Sequence, residues 1–344
     1  MTLSSTRCRC RMPRRNETPA RGMSLVELML ALTIGIVLIG GAITLYIQGR
    51  ANTRVTDAIG EMQENARFAL AMIGPDVALA NYWGLNNWAS TVERRARDAD
   101  PLTNSVAIAN DCLPAWSIDL DVPVEGQNGV DPAWACLPAA NHQDGTDILV
   151  LRHAAEDSVA AGNIEPGKVY VRSDQSPRGI LFVGAEPGGF GTPAENHELT
   201  TRAYYVRSYT FLKPDGTPDN VPCLRRLALS DGGAAPQVED DEVMSGVEDF
   251  QVQFGVDTDG IAGTSDGSVN MYVDPDNPVL AQPGVRVRAV RMWLLMRATS
   301  TELGFEDTSH YRYANVDYTV DQRADLPKGY RRLLVTQTVE MRNL

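Results

Sequence analysis

Glu27 is a single carboxylate at the mouth of a long uncharged run, Leu28 to Ile47, in which most side chains are apolar. A carboxylate buried at the centre of such a run costs about 2.5–3.5 kcal/mol, and less near a membrane interface, so this residue type at this place calls for a cationic partner. The other spacings that could carry chemistry are weaker. Gly162-Asn-Ile-Glu-Pro-Gly-Lys168 satisfies the G-x-x-x-x-G-K pattern of a phosphate-cradling loop, but Val169 stands where magnesium binding needs Ser or Thr, and Pro166 sits inside the loop. Asp257, Asp259 and Asp266 resemble a calcium loop without its full spacing or its closing Glu, and a turn built on Asp and Gly is the plainer reading. The four histidines, His142, His153, His197 and His310, show no metal-ligand spacing, and no G-x-S-x-G nucleophile motif occurs. The sequence thus predicts no enzyme, no cofactor and no metal.

The elements that would position Glu27 are legible around it. Twenty uncharged residues are about what a helix needs to cross the roughly 30 Å hydrocarbon core. Residues 1–22 hold six Arg against the single acid Glu17, the positive flank that stays cytoplasmic while the rest of the chain is exported. No small-residue cleavage site follows the run, whereas Gly22-Met23 precedes it. Met12 is an alternative start that would shorten this leader. Without residues 1–22 the chain has 25 Lys+Arg against 43 Asp+Glu, a net charge of −18. No basic cluster remains outside the leader, which excludes nucleic acid as a partner.

Beyond the run, Val55, Ile59, Met62, Ala66, Ala69 and Ile73 repeat at helical spacing, so the same helix is expected to continue to about Ile73. Gly74-Pro75 should break or kink it, with a short continuation to Ala80. Further on the periodicity changes to that of strands: Asp147–Arg152, Val169–Arg172, Arg202–Leu212, Leu224–Leu229, Phe250–Val256, Val285–Met296 and Arg331–Arg342. Stretches 184–193 and 257–278 read as loops. The fold class is α+β: a long N-terminal helix on a β-rich body of roughly 265 residues, large enough to bury a core. Trp83, Trp88, Trp116 and Trp134 fall between the helix and the first strand, where core packing is a commoner use than a carbohydrate platform.

Cys8 and Cys10 belong to the leader, which leaves Cys112, Cys136 and Cys223. In an oxidising compartment three cysteines predict one bridge and one free thiol. Cys112 with Cys136 closes a local loop and is the first choice; Cys223 paired with either one is the alternative. Such a bridge stabilises by roughly 3 kcal/mol in the chain-entropy picture.

Gly22-Met23-Ser24-Leu25-Val26-Glu27-Leu28 resembles the class III signal of type IV pilins and pseudopilins, with Met where the family usually has Phe. The resemblance implies that a membrane prepilin peptidase cleaves after Gly22 and methylates the new amino terminus of Met23. It also makes Glu27 the acid at the fifth mature position, which neutralises the amino terminus of a neighbouring subunit during assembly. Later segments resemble the PilW family of minor pilins: Phe68-Ala69-Leu70, Asp76, Ala80–Gly84, Gly145–Arg152, Val247–Asp259 and Val335–Asn343. The segment from Asn86 to His142 resembles no known motif.

The resemblance implies three parts: a cleaved leader at 1–22, the pilin helix at 23–80 with its membrane span near 28–47, and a β-rich periplasmic head at 81–344. It implies a minor pilin of the type IV pilus that initiates or caps assembly, anchored once in the inner membrane of a Gram-negative bacterium and then carried at the pilus tip. Its expected partners are the prepilin peptidase, other minor pilins, the major pilin and a tip adhesin. A J-type pseudopilin of type II secretion, and a membrane-anchored adhesin using the Trp-rich segment, are the competing readings.

Overall fold

The computed structural model describes residues 22–97, 106–130, 132, 134–137, 141–212, 216, 218–302, 304–323 and 326–343. The leader through Arg21, with Cys8, Cys10 and Met12, lies outside the described residues. The chain divides into two compact units, one running through Thr56 and the other Asp57–Leu344.

Helix α1 spans Leu25–Leu79 without interruption. Its N-terminal part is helical for local reasons. Leu and Ile predominate, and the threonines that interrupt them bond their hydroxyls back onto the helix, Thr33 to the Leu30 carbonyl and Thr44 to the Gly40 carbonyl, both at 2.9 Å. Neither of these threonine hydroxyls needs an outside partner. From Met62 onward the expected stripe is buried, through Ala66, Ala69, Leu70, Ile73 and Val77. Ile59, one turn earlier, is still exposed.

The break expected at Gly74-Pro75 does not occur. Pro75 removes one hydrogen bond near the helix end, and the last turn is held by tertiary bonds instead. The Arg342 N–H donates to the Ala78 carbonyl at 3.1 Å, and the Asn343 amide reaches the Ala78 and Leu79 carbonyls, each at 3.3 Å. Asn81, in the left-handed region at φ 68°, turns the chain out of the helix and donates to the Asn343 carbonyl at 2.7 Å. The C-terminal tail therefore caps the C-terminus of α1.

The head contains fourteen strands among the described residues: β1 Val92–Glu93, β2 Val124–Gln127, β3 Ile148–Ser158, β4 Tyr170–Asp174, β5 Gly179–Phe182, β6 Ala194–Leu212, β7 Pro218–Ser230, β8 Gln237–Ser245, β9 Val247–Asp257, β10 Met271–Val273, β11 Arg286–Arg297, β12 His310–Tyr313, β13 Val316–Thr319 and β14 Arg332–Glu340. The larger sheet runs β1-β5-β4-β6-β3-β2, antiparallel except for the β1–β5 pair. The long β6 is shared: β4 pairs with residues 194–198 and β7 with 202–212, and β8 follows β7. The second sheet is β10-β9-β11-β14, wholly antiparallel.

The main core gathers the buried stripe of α1, Leu149, Leu151, Tyr204, Val206 and Leu224 from the larger sheet, and Phe250, Val252, Phe254, Val290, Met292 and Leu294 from the second. Period-2 alternation explains the choice, since these are the in-facing positions of β3, β6, β7, β9 and β11. Smaller cores lie around Trp116 and Trp134, and around Trp83. Three of the four tryptophans between helix and first strand are thus packing residues, while Trp88 is 69% exposed.

Candidate assembly segment

Gly22, Met23 and Ser24 precede the helix, and α1 begins at Leu25 with Glu27 in its first turn. The Leu28 N–H donates to the Ser24 carbonyl at 3.1 Å, so Ser24 stands at the N-cap and Glu27 three residues on. That is the S-x-x-E spacing of a capping box, and a carboxylate in the first turn also favours the helix dipole. Glu27 is exposed, and no basic side chain pairs with it among the described residues.

On both sides of Glu27 the surface is apolar and open. Met23, Leu25 and Val26 before it and Leu32, Val37, Leu38 and Leu45 after it all stand exposed. This helix is long and apolar enough to cross a membrane, and none of its most apolar stretch is buried within the chain. The arrangement can do one thing chemically, which is to exchange water for an apolar surrounding while presenting one carboxylate at the helix mouth.

The other end of the helix is fixed by charge. Asp76 is buried and accepts from Arg202 Nη1 at 2.7 Å and from the Tyr204 hydroxyl at 2.6 Å, and His153 Nε2 lies 3.3 Å away. Burial alone would raise the Asp76 pKa, but the bonds from His153 and Tyr204 and the charge of Arg202 outweigh it and hold the carboxyl below its usual range. The network joins the last turn of α1 to β3 and β6.

Segments that are far apart in sequence meet in the same way. Asp147, just before β3, donates its N–H to the Phe250 carbonyl at 2.8 Å, and its carboxylate accepts from the N–H of Val252 at 2.8 Å and of Gly129 at 2.9 Å. Burial, with Asp249 nearby, pushes Asp147 up to about 8. Gly145–Arg152 is thereby tied to Val247–Asp257, and Val335–Asn343 is tied to the end of α1. The Asp76 network and these ties were not legible as sites, because each depends on partners some 75 to 265 residues away.

The weaker chemical motifs have structural uses. Lys168 pairs with Glu165 at 3.4 Å and Glu198 at 3.3 Å, and Gly167 packs so close to Asp231 that a side chain there would collide with it. Asp257, Asp259 and Asp266 do cluster, with carboxylate oxygens within 4.8 Å of one another. Asp257 is already engaged by the Ser265 hydroxyl at 2.6 Å, the Gly267 N–H at 3.1 Å and Arg288 at 3.3 Å. Cys112 and Cys136 form a disulfide across a separation of 24 residues, and Cys223 is a buried free thiol.

Residues 203–343 match the family model for type IV pilus-assembly protein W, PilW. Over these residues the chain is similar to the PilW family, and the matched stretch runs from within β6 through β14 to the tail that caps α1. It leaves out the disulfide and the Trp-rich segment. Among solved structures, a type IV-like pilin from Thermus thermophilus is similar, with 14% identity over 83% of this chain and 98% of that chain at a TM-score of 0.31. No curated protein matches. The PilW similarity and the exposed apolar helix fit membrane anchoring and a pilus-related role.

Proposed function

We propose that this chain is a minor pilin that initiates or caps a type IV pilus. A prepilin peptidase cleaves after Gly22 and methylates Met23, and α1 waits in the inner membrane as a single span with its head in the periplasm of a Gram-negative bacterium. On assembly the apolar half of α1 leaves lipid for the filament core. Glu27 then meets the cationic amino terminus of a neighbouring subunit, and the two charges offset each other in low dielectric. Partners are the major pilin, the other minor pilins and a tip adhesin.

The observation that carries this reading is the PilW match across residues 203–343, in a chain whose only long helix among the described residues has an unburied apolar half headed by one acid. Replacing Gly22 tests it. Gly22→Ala is expected to leave the leader attached, seen as a heavier intact mass, and to keep the chain out of sheared pili. Normal cleavage and normal piliation in that variant would overturn the proposal.

A further inference from the structure

Where the chain leaves α1, residues 84–88 face the turn after β4 at residues 175–178 across a cavity of about 500 Å³. That is within the roughly 300–1,000 Å³ of small-ligand sites. Its lining includes Tyr82, Asn86, Asn87, Trp88, Gln175 and Asn343, and none of the residues that line it is charged. In a chain of net charge −13 such a neutral, amide-rich surface is a selective feature. The guanidinium of Arg178, next in sequence to the lining Pro177, is occupied by Glu93 at 3.4 Å and by the Gly189 carbonyl at 2.8 Å, and it lies over the Phe190 ring.

Both walls are built. Gly84 has φ +80°, and a Cβ there would stand 2.5 Å from Ser173 Oγ, so the chain enters the groove at a point only glycine fits. The Leu85 N–H donates to that same hydroxyl at 2.9 Å. Asn86 accepts from the Trp88 N–H at 2.9 Å and donates to Thr91 Oγ at 2.6 Å, and the Thr91 hydroxyl donates to the Trp88 carbonyl at 2.8 Å. On the facing wall the buried Asp174 accepts from the N–H of Ser176 at 3.1 Å and of Gly191 at 2.8 Å, and from the Ser176 hydroxyl. The backbone beneath Trp88 is therefore clamped while its indole stands free. The exposed amides of Asn87 and Gln175, one on each wall, make no hydrogen bond to any described residue.

We propose that this groove binds a neutral saccharide, one ring stacked on Trp88 and its hydroxyls bonded by Asn87 and Gln175. A sugar ring offers an apolar C–H face that suits an indole, and hydroxyls that both donate and accept as a carboxamide does. A charged ligand would lose hydration here without meeting a counter-charge. Preorganisation of both walls reduces the ordering cost of binding.

The test uses the full processed chain in a detergent without a sugar headgroup. The probes are lactose, maltose, cellobiose and diacetylchitobiose, with sialyllactose as the anionic control, read by saturation-transfer NMR and tryptophan fluorescence. At least one neutral disaccharide is expected to bind. Trp88→Ala should weaken it about tenfold or more, and Asn87→Ala and Gln175→Ala about threefold each. Because these side chains are exposed, circular dichroism and the melting temperature should not change. Absence of binding by every neutral probe, preference for sialyllactose, or unchanged affinity in folded Trp88→Ala would overturn the proposal. So would loss of a co-purifying pilin subunit from Trp88→Ala when the unaltered chain binds no saccharide.

Discussion

The two halves of α1 are both rich in apolar residues and have opposite environments. In the first half Leu25, Val37 and Leu45 are each 70% exposed or more, and Thr hydroxyls turn inward onto the helix itself. In the second half Met62, Ala66, Ala69, Ile73 and Val77 are buried against two sheets, with Asp76 bound to three side chains. The second half completes its burial inside its own chain. The first half has its backbone and Thr hydroxyls satisfied but its apolar surface uncovered, a state suited to lipid or to other helices.

Substitutions in the two halves should therefore separate into different phenotypes. The largest effect on head stability is expected from Asp76→Ala, which strands Arg202 and removes the acceptor of Tyr204, at about 3–5 kcal/mol. Its pH signature is defined. Because the folded carboxyl titrates below its unfolded value of about 3.9, Asp76 stabilises above that pH and its contribution is lost as pH falls through the lowered folded value. Melting curves across that acid range should be steeper in pH for the unaltered chain than for Asp76→Ala. Equal pH dependence would show that the network carries no charge.

A matched pair of truncations comes next. Ile73→Ala should cost the head about 2–5 kcal/mol, because Ile73 is fully buried between sheets. Ile36→Ala removes the same atoms from an exposed position and should leave the head's melting temperature in detergent unchanged. Similar shifts from both would erase the distinction between the halves. The smallest effect is expected at the cap. Asn343→Ala withdraws the amide from the Ala78 and Leu79 carbonyls and should cost about 1 kcal/mol, with faster hydrogen exchange confined to the last turn of α1.

What the sequence showed and concealed follows the same division. The apolar run, the stripe from Met62 to Ile73 and the alternation in β3, β6, β9, β11 and β14 are local patterns, and they were readable. The missed elements are those that local pattern contradicts. β8 carries Glu239, Asp240, Asp241 and Glu242, and its run of acids gives no strand signal. It is a strand because Arg225 and Arg226 on β7 pair across it, Arg225 to Asp240 at 2.9 Å and Arg226 to Asp241 at 3.3 Å. Three tryptophans that could have formed a surface platform are interior, whereas Trp88, with the same sequence credentials, faces a polar groove whose other wall lies almost ninety residues later.

The central claim is that the first half of α1 is an assembly element whose use depends on Glu27. Glu27→Ala, expressed in place of the chromosomal copy, tests it most directly through two readings on one sample: the intact mass of the membrane form and the amount of this chain in sheared pili. The account predicts cleavage before Met23 together with loss of the chain from pili. Cleaved Glu27→Ala protein present in pili at the normal level would contradict it.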